Sequence, residues 1–510
     1  MFILRYFNTF FLFLIYLAVT NAQSTFNISA HLGWPANHFR DMIVDNDTII
    51  GYGLGFSLDS IPQQGLLLSK FDSSGNHLYS RMILDPQGEP LFIDYHWGKI
   101  GKTRDGGYIM TAAPTHGDAA WLIKVDYHFE VEFIKEYLDT VNRSHYRYNV
   151  PIELNDGYLL SGSIQRPNYL NDPFARRVDL QGNTVWFKYY GDYEAGGVFN
   201  DMVKVNDTLF VAFSTIGDAN DPNIGSSSIN YIDLNGNIVR SWQSEPNPEV
   251  GFARKVISLL DGGVITFGLY PVELIGETLI VQPTLAKFDS NFQIEWLRHF
   301  GLKARLGADV IFWDIEQLSD GHYIGAGESF VQSSNNPTRR VGWLYKFSPQ
   351  GDSLWENLID APFPLLDINR GTLAGVGELS SGSIVAAGEA IEGNQRYIWL
   401  VKVTPDGCLD TLCSLVSVVE EEVMVEEVSP AKIYPNPTAG PLTLAWEGRL
   451  PGQKAAIRLF DATGRLVWRQ QRRLERQVAL SLAGLPEGLY FLQVQAGEGS
   501  WVERVVVRRE

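Results

Sequence analysis

The 510 residues carry 59 acidic against 41 basic side chains, a formal net charge of −18, which excludes the basic footprint that a nucleic-acid partner requires. A hydrophobic content of 45% with 12% aromatics supplies ample core and excludes disorder, while the length exceeds one ordinary domain unless repeats build it. The charge is uneven: residues 430–510 hold 12 Lys+Arg and 7 Asp+Glu, a net +5 that leaves −23 upstream, and this change of sign marks a separate C-terminal module.

The chain opens with Arg5, an apolar run over residues 10–19, and Thr20-Asn21-Ala22. That order of positive, apolar and small residues is a secretory signal peptide spanning 1–22, with Gln23 starting the mature chain. The apolar run is short of the roughly 20 residues a membrane-spanning helix needs. No later segment is long and apolar enough, so no transmembrane span is expected in the mature chain.

Residues 23–413 repeat. An apolar strand running into a turn recurs at Phe71-Asp72, Val125-Asp126, Val178-Asp179, Ile232-Asp233, Phe288-Asp289, Phe347-Ser348 and Val403-Thr404, at intervals of 54, 53, 54, 56, 59 and 56 residues. A period of this size signals a propeller or solenoid, because one unit cannot bury its own apolar faces. Each unit resolves into four short strands. In the third, strands are predicted over 148–154, 158–161, 175–180 and 184–190, with tight turns at Asn155-Asp156-Gly157 and Gln181-Gly182-Asn183. The fold class is therefore all-β, a seven-bladed β-propeller of four-stranded blades followed by a small β-sandwich. The seventh unit lacks a fourth strand, and Phe26-Asn27-Ile28-Ser29-Ala30 resembles one, so the N-terminal strand is expected to close the last blade.

If the first strand of each blade is innermost, both tight turns fall on one face. The long connections 56–64, 165–173, 217–227, 270–282, 329–338 and 361–370 fall on the other, as in a binding scaffold. His38, His96 and His145 stand just before the first strands of successive blades and are expected to approach the channel mouth. Loop aromatics Trp34, Trp97, Tyr146, Tyr169, Trp313 and Phe363 are contact candidates because blade packing does not demand them. Recurrent Trp121, Trp186, Trp296, Trp343, Trp355 and Trp399 are read as packing between blades. The oxygen-rich stretch 218–223 lacks the spacing of a calcium hand and reads as a turn-rich loop. No phosphate loop, zinc helix or nucleophile elbow occurs, so no catalytic residue, metal or cofactor is assigned. Cys408 and Cys413, in an exported chain, suggest a short disulfide loop, with two free thiols as the alternative.

Residues 414–429, with Glu420, Glu421, Glu422, Glu426 and Glu427, form an acidic linker. Residues 430–510 then alternate apolar and polar positions with Pro and Gly punctuation, the pattern of a β-sandwich. Four ordered motifs, Tyr434-Pro435-Asn436-Pro437, Phe460-Asp461-Ala462-Thr463-Gly464-Arg465, Pro486-Glu487-Gly488-Leu489-Tyr490 and the basic end Arg508-Arg509, resemble the C-terminal sorting domain of Bacteroidetes type IX secretion cargo. The resemblance implies export, engagement of the type IX machinery, and release or attachment at the outer cell surface. The repeats also resemble uncharacterised secreted propellers. The quinoprotein pattern is approached over 179–186, without that family's cofactor ligands.

These readings lead to an exported propeller acting as a non-catalytic binding module for a glycan or protein ligand. The alternative is a secreted glycan-active hydrolase or lyase drawing on inner-strand carboxylates among Asp41, Asp94, Asp201, Asp309 and Asp314, two of which would have to stand about 5 to 9.5 Å apart.

Overall fold

The structure, a computed structural model, describes residues 25–508 apart from 35, 58–62, 86–87, 89, 94–98, 115–118, 139–145, 150, 166–169, 192–195, 218–224, 276–277, 306–309, 334–335, 363–369, 394, 410–430, 447–453, 462–465, 474 and 497–498. Among the described residues there are strands and turns and no helix. The chain divides into two compact units, Met1–Leu415 and Val416–Glu510.

In the larger unit the described strands form seven antiparallel sheets in chain order. Sheet 1 comprises Asn37–Asp45, Thr48–Ser57, Gln63–Phe71 and His77–Ile83. Sheet 2 begins with Leu91–Phe92 and Ile100–Lys102 and continues through Tyr108–Pro114, Ala119–Val125 and Val131–Leu138. Sheet 3 holds Tyr146–Tyr148 and Ile152–Glu153, then Gly157–Gln165, Asn171–Asp179 and Thr184–Tyr189. Sheet 4 is Gly197–Asn206, Leu209–Gly217, Gly225–Asp233 and Ile238–Gln243; sheet 5 is Phe252–Ser258, Val264–Ile275, Thr278–Phe288 and Ile294–His299, with Ala304–Arg305 beside its third strand. Sheet 6 is Ile311–Gln317, Tyr323–Ser333, Asn336–Phe347 and Ser353–Ile359. Sheet 7 is Arg370–Glu378, Ile384–Glu392 and Gln395–Val403, and its fourth strand is Phe26–Ala30 from the other end of the unit, paired Phe26 to Lys402 through Ala30 to Ile398.

Apolar cores join each sheet to the next. Tyr52 and Leu68 of sheet 1 pack with Tyr108 and Ile123 of sheet 2, Ile109 and Leu122 with Leu160 and Phe174 of sheet 3, and Leu159 and Ala175 with Phe199 and Phe210 of sheet 4. The series continues with Phe213 and Ile229 against Val256 and Phe288 of sheet 5, and Phe267 and Leu285 against Phe312 and Trp343 of sheet 6. Ile324 and Leu344 then meet Leu373 and Trp399 of sheet 7. The last core brings Val385 and Leu400 of sheet 7 onto Phe39 and Phe71 of sheet 1. Each sheet is thus buried on both faces by its neighbours, the arrangement that lets strands with apolar residues on both sides stay in register.

The residue that marks the sequence repeat caps a turn. Asp72, Asp126, Asp179, Asp233 and Asp289 each accept backbone N–H groups two and four residues on, at 2.7–3.0 Å, and Ser348 does the same through its hydroxyl. The strand-two glycines have a different cause. Five first strands carry a bulge at one shared position, leaving Arg40, Asn200, Arg254, Trp313 and Ala374 outside the pairing. The bulge drives a backbone carbonyl toward the second strand: a Cβ on Gly53, Gly327 or Gly388 would stand 1.9, 1.8 or 1.9 Å from the carbonyl oxygen of His38, Ile311 or Thr372. Only glycine leaves room.

Two expectations need correction. The first strand of sheet 3 is split around Pro151, which has no N–H to give to the ladder. The connections 270–282 and 329–338 are long hairpins for most of their length, with pairing continuing from Tyr270–Gln282 to Ile275–Thr278 and from Ser329–Val341 to Ser333–Asn336. Apolar and β-branched residues favour extending the ladder there.

The smaller unit packs a three-stranded sheet (Ala431–Tyr434, Pro441–Trp446, Gln477–Ser481) with a four-stranded one ordered Leu466–Arg473, Lys454–Asp461, Gly488–Ala496, Gly499–Val507. Leu442, Leu444, Val478 and Leu480 from one meet Ile457, Leu459, Leu492, Val494 and Val505 from the other in a single core, at alternate positions along each strand.

Candidate functional site at the axis and in the tail

The first strands of several sheets converge, and a lysine stands where they meet. Lys99, in sheet 2, is 3% exposed. Its Nζ lies 3.0 Å from Asp41 Oδ1 of sheet 1 and 3.7 Å from Asp314 Oδ1 of sheet 6, and it donates to the Ala374 carbonyl of sheet 7 at 3.3 Å. First strands are therefore innermost. Burial alone would lower the lysine's pKa, but the Asp314 and Asp41 carboxylates outweigh it and hold the ammonium above its ordinary value. Asp41 is pushed up to about 6, chiefly by burial, with Lys99 opposing and Asp314 reinforcing the shift.

Asp41 and Asp314, together with Asp201, tie neighbouring sheets together. Asp41 Oδ2 accepts the Ile100 N–H at 2.9 Å, Asp201 Oδ2 that of Val256 at 3.1 Å, and Asp314 Oδ2 that of Val376 at 3.1 Å. All three follow the bulge by one residue, so one oxygen reaches the next first strand. These carboxylates are structural in position. Asp94 and Asp309 lie outside the described residues.

Glu316 stands in the first strand of sheet 6, two residues beyond Asp314 and on the same side of the sheet. Its side chain is exposed, with the Asp314 and Asp41 carboxylates close enough to act on it. Burial first, then the Asp314 and Asp41 charges, push its carboxyl up to about 8. A carboxyl raised in this way beside other carboxyls has the setting of a general acid.

A second charged group sits on the seam between sheets 7 and 1. Glu389, 2% exposed, faces Arg40 Nη1 at 3.5 Å and His38 Nε2 at 3.7 Å and accepts from Arg396. Burial, then Arg40, push His38 down to about 3, so the imidazole is neutral across the physiological range. Sheet 6 repeats the device: Glu328 pairs with Arg340 at 3.4 Å and accepts from Thr372 of sheet 7.

Of the residues proposed from sequence, His38 lies within the first strand of sheet 1, 7% exposed, in this seam. His96, Trp97, His145, Tyr169, Phe363 and the stretch 218–223 fall outside the described residues. Trp34 is half-buried against the core shared by sheets 1 and 7, and its carbonyl accepts from Asn37. Tyr146 opens the first strand of sheet 3, opposite Ile164. Trp313 is not a loop residue. It is the bulged residue of sheet 6, 8% exposed, and belongs to the core with Phe312 and Trp343. Cys408 is half-buried and its N–H donates to Thr404 Oγ1 at 3.0 Å, while Cys413 is outside the described residues. Lys99, Glu316, Arg40 and Glu389 escaped the sequence reading. The repeated Gly-Glu at 327–328 and 388–389, a carboxylate in strands that are otherwise apolar or small, was the available signal.

In the smaller unit the Tyr-Pro-Asn-Pro segment laces onto the final strand. Asn436 Nδ2 donates to the Arg504 carbonyl at 2.7 Å, and Asn436 Oδ1 accepts from Val506 N–H at 2.8 Å. Thr438 continues the seam, donating its N–H to Val506 and accepting from Arg508 N–H. Tyr434–Pro435 and Asn436–Pro437 are both cis. Asp461 pairs with Tyr490, whose hydroxyl donates to the Pro486 carbonyl at 2.8 Å, so the second and third motifs are neighbours; Gly464 and Arg465 are not described. Residues 432–508 match the family model of the secretion system C-terminal sorting domain. The C-terminal unit is a sorting domain of that kind. A sorting domain marks its carrier for export through type IX secretion.

No curated protein matches the chain. Several solved structures are similar to the chain at low identity. A polysaccharide lyase, Uly1, is 9% identical with a TM-score of 0.41, over 77% of this chain and 95% of that one. Puromycin hydrolase is 12% identical with a TM-score of 0.43, over 82% of this chain and 61% of that one. The GH93 α-L-arabinofuranosidase of Fusarium graminearum is 12% identical with a TM-score of 0.37, over 62% and 94%. Among the described residues, no helix is long and apolar enough to cross a membrane, and no group of three or more His, Cys, Asp or Glu could hold a metal ion.

Proposed function

We propose that the chain is an exported seven-bladed β-propeller acting as a non-catalytic binding module, delivered to the cell surface or medium by its sorting domain. In this reading residues 1–22 are a signal peptide that is cleaved, 23–413 the propeller, 414–429 an acidic linker and 430–510 the sorting domain. The core shared by the last and first sheets, and the pairing of Phe26–Ala30 with sheet 7, support a closed ring. The observation that carries the non-catalytic reading is the commitment of Asp41, Asp201 and Asp314 to backbone N–H groups of neighbouring first strands. Carboxylates fixed in this way, two of them sharing Lys99, are poorly placed to flank a sugar. Ligands are then held by what differs between blades rather than by what repeats. The test is a panel of glycans and peptides offered to the mature protein, scoring retention and turnover separately. Retention without turnover is expected; turnover refutes the binding-only reading. Deleting residues 430–510 tests delivery, which fails as an idea if the truncated protein still leaves the cell.

One observation favours a second reading, a glycan-active hydrolase or lyase. Glu316, raised to about 8, stands two residues from Asp314 on the same side of one strand, a pairing suited to acid–base work. Here Glu316→Gln would abolish product release from a susceptible polysaccharide while leaving its retention intact.

A further inference from the structure

The seam between sheets 4 and 5 lacks a partner that its counterpart between sheets 7 and 1 possesses. Arg40 and Arg254 occupy the same bulged position in their first strands, between Phe39 and Asp41 and between Ala253 and Lys255. On the preceding sheet, Glu389 stands opposite Thr372, and the residue at the matching place in sheet 4, opposite Val198, is Thr215. Sheet 7 therefore presents a carboxylate to Arg40, whereas sheet 4 presents a hydroxyl to Arg254.

The consequences are visible at both residues. Arg254 is half-buried, and among the described residues its one hydrogen bond runs from Nη1 to the carbonyl of Ala253 at 2.9 Å, Nε is enclosed without a partner, and no carboxylate forms an ion pair with it. Thr215 Oγ1 is enclosed and unpartnered as well. Thr215 turns toward sheet 5. It pairs with Ser227, on the same side of the sheet, and Ser227 Oγ donates to the Gly251 carbonyl at the entry to sheet 5. Burial alone, with no charged neighbour contributing, lowers the Arg254 pKa to about 10. Lys99 and Arg40, both buried, face carboxylates. In a chain of net charge −18, a guanidinium left without an acid is the exception that calls for an external one.

We propose that Arg254, assisted by Thr215, is an oxyanion site that takes the carboxylate or sulfate group of an acidic glycan. The planar fork of an arginine matches a carboxylate or sulfate in two-point fashion. The unpartnered hydroxyl of Thr215 suits a sugar hydroxyl better than an apolar peptide side chain, so a glycan is favoured over an acidic peptide. This inference rests on the binding-module reading and names its ligand class.

The test uses the mature full-length protein and three variants: Arg254→Met, Thr215→Glu and, as a control at a paired arginine, Arg396→Gln. An oligogalacturonate, its fully methyl-esterified form, a sulfated galactan oligosaccharide and a poly-glutamate peptide are titrated by calorimetry, with melting temperature measured in parallel. The unmodified protein should bind the uronate or the sulfate ester, and the two arms show which. Arg254→Met and Thr215→Glu should weaken that binding about tenfold or more, while Arg396→Gln should not. Thr215→Glu supplies internally the carboxylate that Glu389 gives Arg40, so its ligand-free melting temperature should rise. Equal binding by Arg254→Met, preference for poly-glutamate, or no binding of either acidic glycan overturns the proposal. Binding of the methyl ester by all variants alike would also overturn it, yet would leave the binding-module reading standing. Should Thr215→Glu fail to fold, Arg254→Met alone decides.

Discussion

Replacing Lys99 by Met tests whether the axis is a structural lock. The side chain keeps its length and loses the charge, which stands 3.0 Å from Asp41 and 3.7 Å from Asp314. Removing one partner of a buried ion pair leaves the other uncompensated and costs about 3–5 kcal/mol, and here two acids share the partner. Protonation limits the loss. Asp41 already sits near 6, well above its ordinary 3.8, so the folded protein binds a proton there that the unfolded chain releases between those values. Wild-type stability from this group is therefore full below about 3.8 and declines as pH rises through about 6. Without Lys99 the shift grows, at about 1.4 kcal/mol for each further unit. The variant should thus be destabilised by about 3–5 kcal/mol at pH 8 and distinctly less at pH 5. Guanidinium unfolding of the mature protein followed by tryptophan fluorescence, at both pH values, measures this directly. A loss under about 1 kcal/mol, or one independent of pH, would show that the axial charges are hydrated and refute the lock.

Three further outcomes follow from the same structure. Gly388→Ala places a Cβ 1.9 Å from the Thr372 carbonyl and should cost about 3 kcal/mol in the same unfolding assay, whereas Gly55→Ala, which meets the movable end of Met82 at 2.6 Å, should cost about 1 kcal/mol. Asp233→Ala removes the acceptor for Asn235 and Asn237 N–H groups and should cost about 1–2 kcal/mol at neutral pH. The Asp233 pKa is depressed, burial being outweighed by the hydrogen bonds from Asn237 and Asn235, so its contribution is present above the ordinary carboxylate pKa and fades as pH falls through the folded value; a titration of melting temperature for both proteins should converge in acid. Asn436→Ala breaks both bonds to the final strand and should speed amide hydrogen exchange over residues 504–508 while leaving the larger unit's exchange unchanged.

Much of the architecture was legible because its causes are local. A turn-capping Asp, at 72, 126, 179, 233 and 289, with Ser348 in the same place, recurs often enough to set the period, and each such turn forms from five adjacent residues. The sandwich was legible through alternation alone. The axis was not. Asp41 meets Ile100, and Lys99 meets Ala374, pairings separated by up to 275 positions that no window of sequence contains. Trp313 misled for a related reason. A bulge re-aims its side chain, and bulges leave no mark on hydropathy. The glycines opposite the bulges were that mark, but their meaning depends on a carbonyl from another strand. His38 was noticed for its chemistry, and its burial depends on Glu389, 351 positions away in the chain.

The pairing of Phe26–Ala30 with Gln395–Val403 also sets an order of events. No other described pairing joins residues so far apart, and closing a loop of that length carries an entropic cost of about 5 kcal/mol before any contact repays it. Phe26–Ala30 thus cannot find its place until Gln395–Val403 has been made, and until it does the third strand of the final sheet presents a bare row of N–H and C=O groups. During that interval the same strand from a second molecule is chemically identical to the one awaited. Crowding therefore puts pairing within one chain in competition with exchange between chains, and Asn27, which accepts from the buried Trp399 indole at 2.7 Å, is the residue that rewards correct seating.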